Sequence, residues 1–465
     1  MSTNILTRNS GPKQTRSSKS TNPRRHASAL GDPVAEMDVR AHEDISSILV
    51  DWKRYPSPVR PVGSDSATTR CNAASGGTLV RLAGMNRILR ITTESVTVQP
   101  GVRIGELAEA LAEHGLELPC GSDVADRTIG GVVAAPALQA GLPVDGGQLA
   151  GHVLSLKLIA PGGRKLEVSQ RNARLLSMIR LSYGLLGVIY EITLRVRKIR
   201  GFSVQHRKCD FTTLSGLVPK LVQLNAGVKF WLLPFRDRVY LELRRADAKA
   251  SEGRRLSWRI KEWAAYTALP SFARSLSRSI PLRQLRYPII DRFSEATQGL
   301  VSATLTQSGS NSIEQTGKFR RLEVSPTFKY CTWVFPHEQF PQTLMAYRYF
   351  CREYYQRTGF RCDMPAIGHR LNQDNSALLS PSFHTPMMSI TSMSTDQRGW
   401  EDFVLGLDEF AQQHAGMPFF NQTKGASVER VNAAFDTRLP FFRKVRAQFD
   451  PDDRMLNQYF AGLIA

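Results

Sequence analysis

Small residues gathered in three turns are the first chemistry this chain offers. Arg60-Pro-Val-Gly-Ser-Asp-Ser-Ala67 comes first, Asp126-Arg-Thr-Ile-Gly-Gly-Val-Val-Ala134 second, and Tyr183-Gly-Leu-Leu-Gly-Val-Ile-Tyr-Glu-Ile192 third. Glycine and small hydroxyl residues let successive backbone N–H groups face one concavity, where larger side chains would keep an anion away. A dinucleotide diphosphate needs such a nest. Gly63-Ser-Asp-Ser66 and Thr128-Ile-Gly-Gly131 have the right content, and Gly184-x-x-Gly187 runs into an apolar strand. Singly each turn says little. Grouped between Trp52 and Val196, they point to an extended dinucleotide across a small α/β unit. None is a Walker loop, and none is the G-x-G-x-x-G that opens a Rossmann helix. Asp65 is an awkward neighbour for phosphate, so its side chain is expected to turn away and bond its own loop.

The rest of the chain must position these turns. Its 465 residues are too many for one ordinary core, so two domains are expected. A formal net charge of +20 attracts anions of every kind. No zinc-finger spacing, heptad repeat or RNA-binding motif accompanies it, which argues against a nucleic-acid partner. No apolar run is long enough to cross a bilayer. Cys71, Cys120, Cys209, Cys331, Cys351 and Cys362 are scattered without a C-x-x-C pair, which suits a reducing compartment and gives no metal site. Cys120 could line a cofactor cleft but reads more simply as a small packing residue. A cytoplasmic location is expected, with or without membrane association.

Residues 1–44 read as a basic tail, free of acids before Asp32, without the apolar core of a secretory signal or the amphipathic face of a transit peptide. Residues 45–200 read as a compact α+β unit. It holds short alternating strands, a hairpin across Pro161-Gly-Gly163, and an amphipathic helix from Arg103 to His114 closed by Gly115. Residues 201–440 read as a second domain of longer antiparallel strands, with helices over Gln339–Thr358 and Trp400–His414, and 441–465 as a segment returning to the first. Between Arg254 and Arg286, Trp258, Trp263, Tyr266 and Phe272 are interleaved with basic residues. That mixture suits peripheral membrane contact or a phosphate-rich partner; the blander alternative is a basic helix pair with its aromatics facing the core.

Residues 48–200 resemble the FAD-binding domain of the vanillyl-alcohol oxidase superfamily, near the sugar-lactone, alditol and decaprenylphosphoryl-ribose oxidases. The matching run is Arg60-Pro-Val-Gly63, Gly76-Gly-Thr-Leu-Val80, Val96-Thr-Val-Gln-Pro-Gly-Val-Arg-Ile-Gly-Glu-Leu107, Thr128-Ile-Gly-Gly131 and Gly184-Leu-Leu-Gly-Val-Ile189. Similarity continues more faintly through Phe230-Trp-Leu-Leu-Pro234 and Leu378-Leu-Ser-Pro381 to Phe449-Asp-Pro-Asp-Asp-Arg-Met-Leu-Asn457. The resemblance implies an α+β, two-domain PCMH-type fold whose C-terminal antiparallel sheet caps the substrate. It implies FAD held by Pro61, Val62, Gly63, Ser64, Asp65 and Ser66 of the first turn, and by Thr128, Ile129, Gly130, Gly131 and Ala134 of the second. Gly187, Val188 and Ile189 follow from the third, and Asn421 and Lys424 from the far half. Many relatives bind flavin covalently through a first-loop histidine. Here Ser66 fills that place, Leu138 or a neighbour replaces a second histidine, and non-covalent FAD is expected.

Relatives also carry a Glu-x-Arg pair and a lysine near flavin N1. Lys424 matches the lysine, whose charge would favour the reduced anionic ring. Arg370 matches the arginine, but Gly368 stands where the glutamate belongs, leaving His369 to accept the alcohol proton. The implied reaction is hydride transfer from a CH–OH carbon of a polyol, sugar or sugar lactone to flavin N5, with oxygen or another acceptor closing the cycle. The alternatives are oxidation of a phosphorylated or lipid-linked sugar at a membrane, and a flavin-binding protein with lost catalysis.

Overall fold

The computed structural model describes residues 31–120, 125–138, 146–246, 268–306, 311–312, 328–396 and 398–464. Two small sheets carry the turns. β1 (Ala35–Asp38), β2 (Val59–Val62) and β3 (Thr78–Arg81) pair in parallel in the order β1-β3-β2. This corrects the expected start at Ile45, because β3 is central and both its edges take ladder partners. Behind it α1 (His42–Val50) buries Ile45, Ile48 and Leu49 against Val59, Val80 and Val188.

The second sheet is antiparallel, with β4 (Ile88–Ile91), β5 (Ser95–Val98), β6 (Val153–Ile159), β7 (Lys165–Ser169) and β8 (Val188–Arg195) in the order β4-β5-β8-β6-β7. Strict alternation in Ser95-Val-Thr-Val98 buries Val96 and Val98 on one face. The amphipathic α2 (Ile104–Ala112) buries Ile104, Leu107 and Leu111 in the same core. The short α3 (Ile129–Ala134) starts at Thr128, whose hydroxyl accepts the Gly131 N–H. α4 (Ala173–Ile179) leads to the third turn.

The second domain is built on β9 (Gly201–Cys209), β10 (Gly227–Leu233), β11 (Arg238–Ala246), β12 (Lys329–Pro336), β13 (Ala366–Leu371), β14 (Met387–Ser394) and β15 (Met417–Pro418). With Asn311–Ser312 at one edge they form an eight-stranded antiparallel sheet, ordered β9-β11-β10-β13-β14-β12-β15 from that edge. Helices α5 (Phe211–Gln223), α6 (Leu269–Ser279), α7 (Arg283–Thr306), α8 (Phe340–Thr358) and α9 (Trp400–Gln413) belong to it. The two faces of the sheet differ. Phe230, Leu241, Trp333 and Met388 pack under α5, α8 and α9 with Phe211, Leu344 and Trp400. Trp231, Tyr240, Ile367 and Met393 occupy the opposite face, with Tyr330 beside them. On that side Val334, Leu371 and Met387 join the first domain's core.

The chain then returns through α10 (Val428–Phe435), α11 (Arg438–Phe449) and α12 (Gln458–Ile464). Val431, Phe435, Phe442 and Phe460 enter the first domain's core, so this return begins ahead of residue 441. Arg454 donates to the carbonyls of Ile48 and Leu49, and Asn457 Nδ2 to those of Arg70, Cys71 and Ala73. Of the stretch Arg254–Arg286, residues 254–267, with Trp258, Trp263 and Tyr266, lie outside the described residues. The remainder forms α6 and the start of α7, where Phe272 stacks on Phe293. No described helix is long and apolar enough to cross a membrane. None of the six cysteines is in a disulfide, and Cys120 packs in the core.

Candidate functional site

The three turns meet at one cleft of about 840 Å³, its open mouth included. Pro61, Gly63, Ser64, Asp65 and Ser66 line it from the first turn, and Thr128, Gly130, Gly131 and Ala134 from the second. Gly184, Gly187 and Ile189 close it from the third, and Asn421 from the distant half of the chain. Val62, Ile129 and Val188 do not line the cleft; they are buried behind it. Glycine is required at two of these contacts. A Cβ on Gly63 would stand 2.0 Å from Thr128 Oγ1, so the first two turns touch only because it is absent. Gly187 has φ +131, and a Cβ there would meet the Ile159 carbonyl at 2.3 Å.

Arg60 locks the turns from below. Fully buried, it donates to the carbonyls of Cys71, Tyr183 and Met455, joining the first turn, the third turn and the C-terminal segment. Burial lowers its guanidinium to about 10, which still leaves it charged near neutrality.

Arg127 is a site residue that the sequence reading passed over. It lines the cleft within hydrogen-bonding reach of the Tyr330 hydroxyl, which itself donates to the Ser66 carbonyl at 3.2 Å. Its Nε is buried and bonds to nothing. The usable signal was a cation immediately ahead of a glycine nest. Asn421 donates through Nδ2 to the Pro136 carbonyl at 3.2 Å, while its Oδ1 is buried without a partner. Next to it, Gln422 Oε1 accepts from Thr332 Oγ1 at 3.1 Å, that hydroxyl lies 2.9 Å from Thr391 Oγ1, and Gln422 Nε2 is likewise unpartnered. Asn421 lines the cleft together with the second turn, where the Gly131 Cβ position meets only Thr128 Oγ1 within 4 Å. The residues present therefore fit a long anionic ligand with a polar ring edge, as FAD has.

The expected catalytic trio is divided by the sheet. Side chains alternate across a strand, so Gly368 and Arg370 share one face of β13 while Ile367 and His369 share the other. A Cβ on Gly368 would lie 2.0 Å from the Phe230 ring, on the helix-covered side. A glutamate there would be driven into packed core. Arg370 points the same way and donates to the Leu221, Val222 and Leu224 carbonyls at the end of α5, so its expected place at the substrate is corrected. Those are carbonyls that a helix end leaves without intrahelical donors. Lys424 is corrected as well. A tight turn, in which the Gln422 and Thr423 N–H groups donate to the Phe419 carbonyl, leads the chain along β12 and out of the cleft. Lys424 Nζ lies 3.6 Å from Glu401 Oε1 on α9, and its carbonyl faces Cys331. His369 alone stays on the cleft-side face; it is buried and opposite Lys229 of β10.

Residues 34–169 match the FAD binding domain family, and residues 192–463 match the D-arabinono-1,4-lactone oxidase family. The chain belongs to the D-arabinono-1,4-lactone oxidase family. It is 28% identical over 208 residues to the mitochondrial L-galactono-1,4-lactone dehydrogenase of Arabidopsis thaliana, a match spanning 42% of this chain and 32% of the plant protein. Against L-gulono-1,4-lactone dehydrogenase of Mycobacterium tuberculosis it is 23% identical over 439 residues, covering 92% of this chain and 95% of that one. Its fold is like that of cholesterol oxidase from Brevibacterium sterolicum, with TM-score 0.73 at 13% identity over 92% of this chain and 94% of the other. That likeness concerns the fold alone. The architecture is two-domain, PCMH-type α+β, and the match to the FAD binding domain family gives FAD as the cofactor.

Proposed function

We propose that the protein oxidises a CH–OH group of a sugar or sugar 1,4-lactone, with FAD held non-covalently in the cleft of the three turns. The convergence of those turns with Asn421 carries this reading, and membership of a lactone oxidase family supports the substrate class. When bound, FAD supplies the hydride acceptor at its N5 atom. The backbone of Gly63–Ser66 would cradle the diphosphate and Arg127 would offset its charge, while Gly130 and Gly131, whose N–H groups donate to the Pro100 carbonyl and Thr128 Oγ1, would line its other side. No histidine among the described residues lines the cleft. Cys71 does line it, but burial pushes its thiol up, so it stays a neutral and poor nucleophile. Both observations favour a non-covalent cofactor.

The substrate would lie between the ring and the sheet face bearing Thr332, Thr391 and Gln422. These neutral hydroxyl and amide groups present donors and acceptors to a polyhydroxylated molecule. His369 shares that face and remains our candidate for taking the alcohol proton.

The test is a spectrum followed by anaerobic mixing. Acid precipitation should leave yellow supernatant, and L-galactono-, L-gulono- or D-arabinono-1,4-lactone should bleach the flavin. A yellow pellet would overturn the non-covalent reading. Flavin that neither lactones nor polyols bleach would overturn the activity.

A further inference from the structure

Helix α7 presents a face that the redox site does not use. Its exposed residues Leu285, Ile289, Arg292, Ala296 and Leu300 follow one another at helical spacing. They form a single stripe roughly 22 Å long at 1.5 Å rise per residue. Leu282 and Pro288 broaden it at its start. Leu282, Leu285, Ile289 and Leu300 are 66, 59, 41 and 57% exposed, four of the eleven large apolar side chains that are exposed among the described residues. Scattered apolar residues on a surface are ordinary, whereas clustering on one helix face marks an interaction site.

Charge decides what kind of partner fits. The acids of α7 turn into the protein, Asp291 to Arg361 at 2.8 Å and Glu295 to Lys208 and Arg236, each at 3.0 Å. The exposed charges of α6 and α7 are Arg278, at the end of α6, and Arg292, within the stripe. Among the described residues of α6 and α7, then, the outward surface is aliphatic and basic, with no exposed acid. A second copy of this chain would set these arginines against their own kind. A protein partner's anchor is commonly aromatic and seated in a pocket, and this stripe is a convex row of Leu, Ile and Pro. Aliphatic side chains in a line with arginines beside them match the acyl boundary and headgroups of an anionic lipid surface.

We propose that the stripe Leu282–Leu300 docks the protein on an anionic membrane surface. The inference is independent of the catalytic reading. The contact runs through aliphatic side chains, since Phe272, the described aromatic of the basic stretch, stacks on Phe293.

The test is sedimentation of the full-length, flavin-loaded protein with phosphatidylcholine vesicles, with and without phosphatidylglycerol. The protein should pellet with the phosphatidylglycerol vesicles, less so as salt rises. The double variant Leu285→Glu with Ile289→Glu should weaken that binding about tenfold or more, with its flavin spectrum and turnover of soluble substrate unchanged. Arg278→Glu with Arg292→Glu should weaken it too. Leu405→Glu, at a site 57% exposed on α9, should bind as the parent does. Equal partition to both vesicle types, or binding that survives Leu285→Glu with Ile289→Glu, would overturn the proposal. So would a concentration-dependent dimer, seen by sedimentation velocity and dissolved by that double variant, in a protein that ignores vesicles.

Discussion

Replacing Arg370 by alanine separates its observed role from the one suggested by family resemblance. Its Nη1 reaches the carbonyls of Leu221 at 2.9 Å, Leu224 at 2.8 Å and Val222 at 3.3 Å. The first two are well formed. Hydrogen bonds to a charged group contribute about 1.5–3 kcal/mol each, so the pair contributes about 3–6 kcal/mol. Desolvation offsets part of this, since burial lowers the guanidinium to about 10. We therefore take about 3 kcal/mol as the cost of Arg370→Ala, at the low end of that range. For a domain of this size the loss is a fall in Tm of roughly 6–12 °C. Scanning calorimetry of the flavin-loaded protein measures it, and stopped-flow flavin reduction measures the chemistry. The expected result is a large drop in Tm with reduction slowed less than about threefold at a temperature where the variant is folded. An unchanged Tm with reduction slowed by about a hundredfold or more would refute this argument and return Arg370 to the substrate.

Three further outcomes follow from the same geometry. Gly131→Leu should fold, because a Cβ there meets only Thr128 Oγ1 at 3.1 Å, yet its side chain would enter the cleft; equilibrium titration should show FAD affinity reduced by about a hundredfold or more. Lys424→Met should change stability by about 1 kcal/mol or less, as expected of a part-exposed ion pair; a hundredfold fall in flavin reduction would put that lysine back beside the ring. Asp450 is held above the ordinary carboxyl value of 3.8, chiefly by burial. Because the folded state then binds the proton more tightly, this group's contribution is fully present below the unfolded pKa and is lost as pH rises through the folded one. Asp450→Asn should remove that fall in stability just above the ordinary value of 3.8, measured by urea unfolding against pH.

Much of the first domain was legible because its signals are local. The small-residue turns, the hydroxyl of Thr128 and the alternation in Ser95-Val-Thr-Val98 each act within a few residues, so residue order reports them directly. The tail boundary was misread at Ala35–Asp38, because that strand exists through pairing with Thr78–Arg81, far along the chain.

Residue type and spacing by themselves pointed to small-residue turns grouped for an extended dinucleotide and to a chain too long for one core. They did not determine which charged groups face the dinucleotide. Arg60, Arg127 and Arg370 look alike in a sequence, yet one locks the turns from below, one lines the cleft and one closes a helix. On a strand, neighbouring residues point to opposite faces, so Arg370 and His369 part company over a single position. Which face meets the flavin depends on contacts such as Tyr330 with Ser66, between residues in different domains. The partner that makes a buried charge tolerable is supplied by folding, and only the tertiary structure names it.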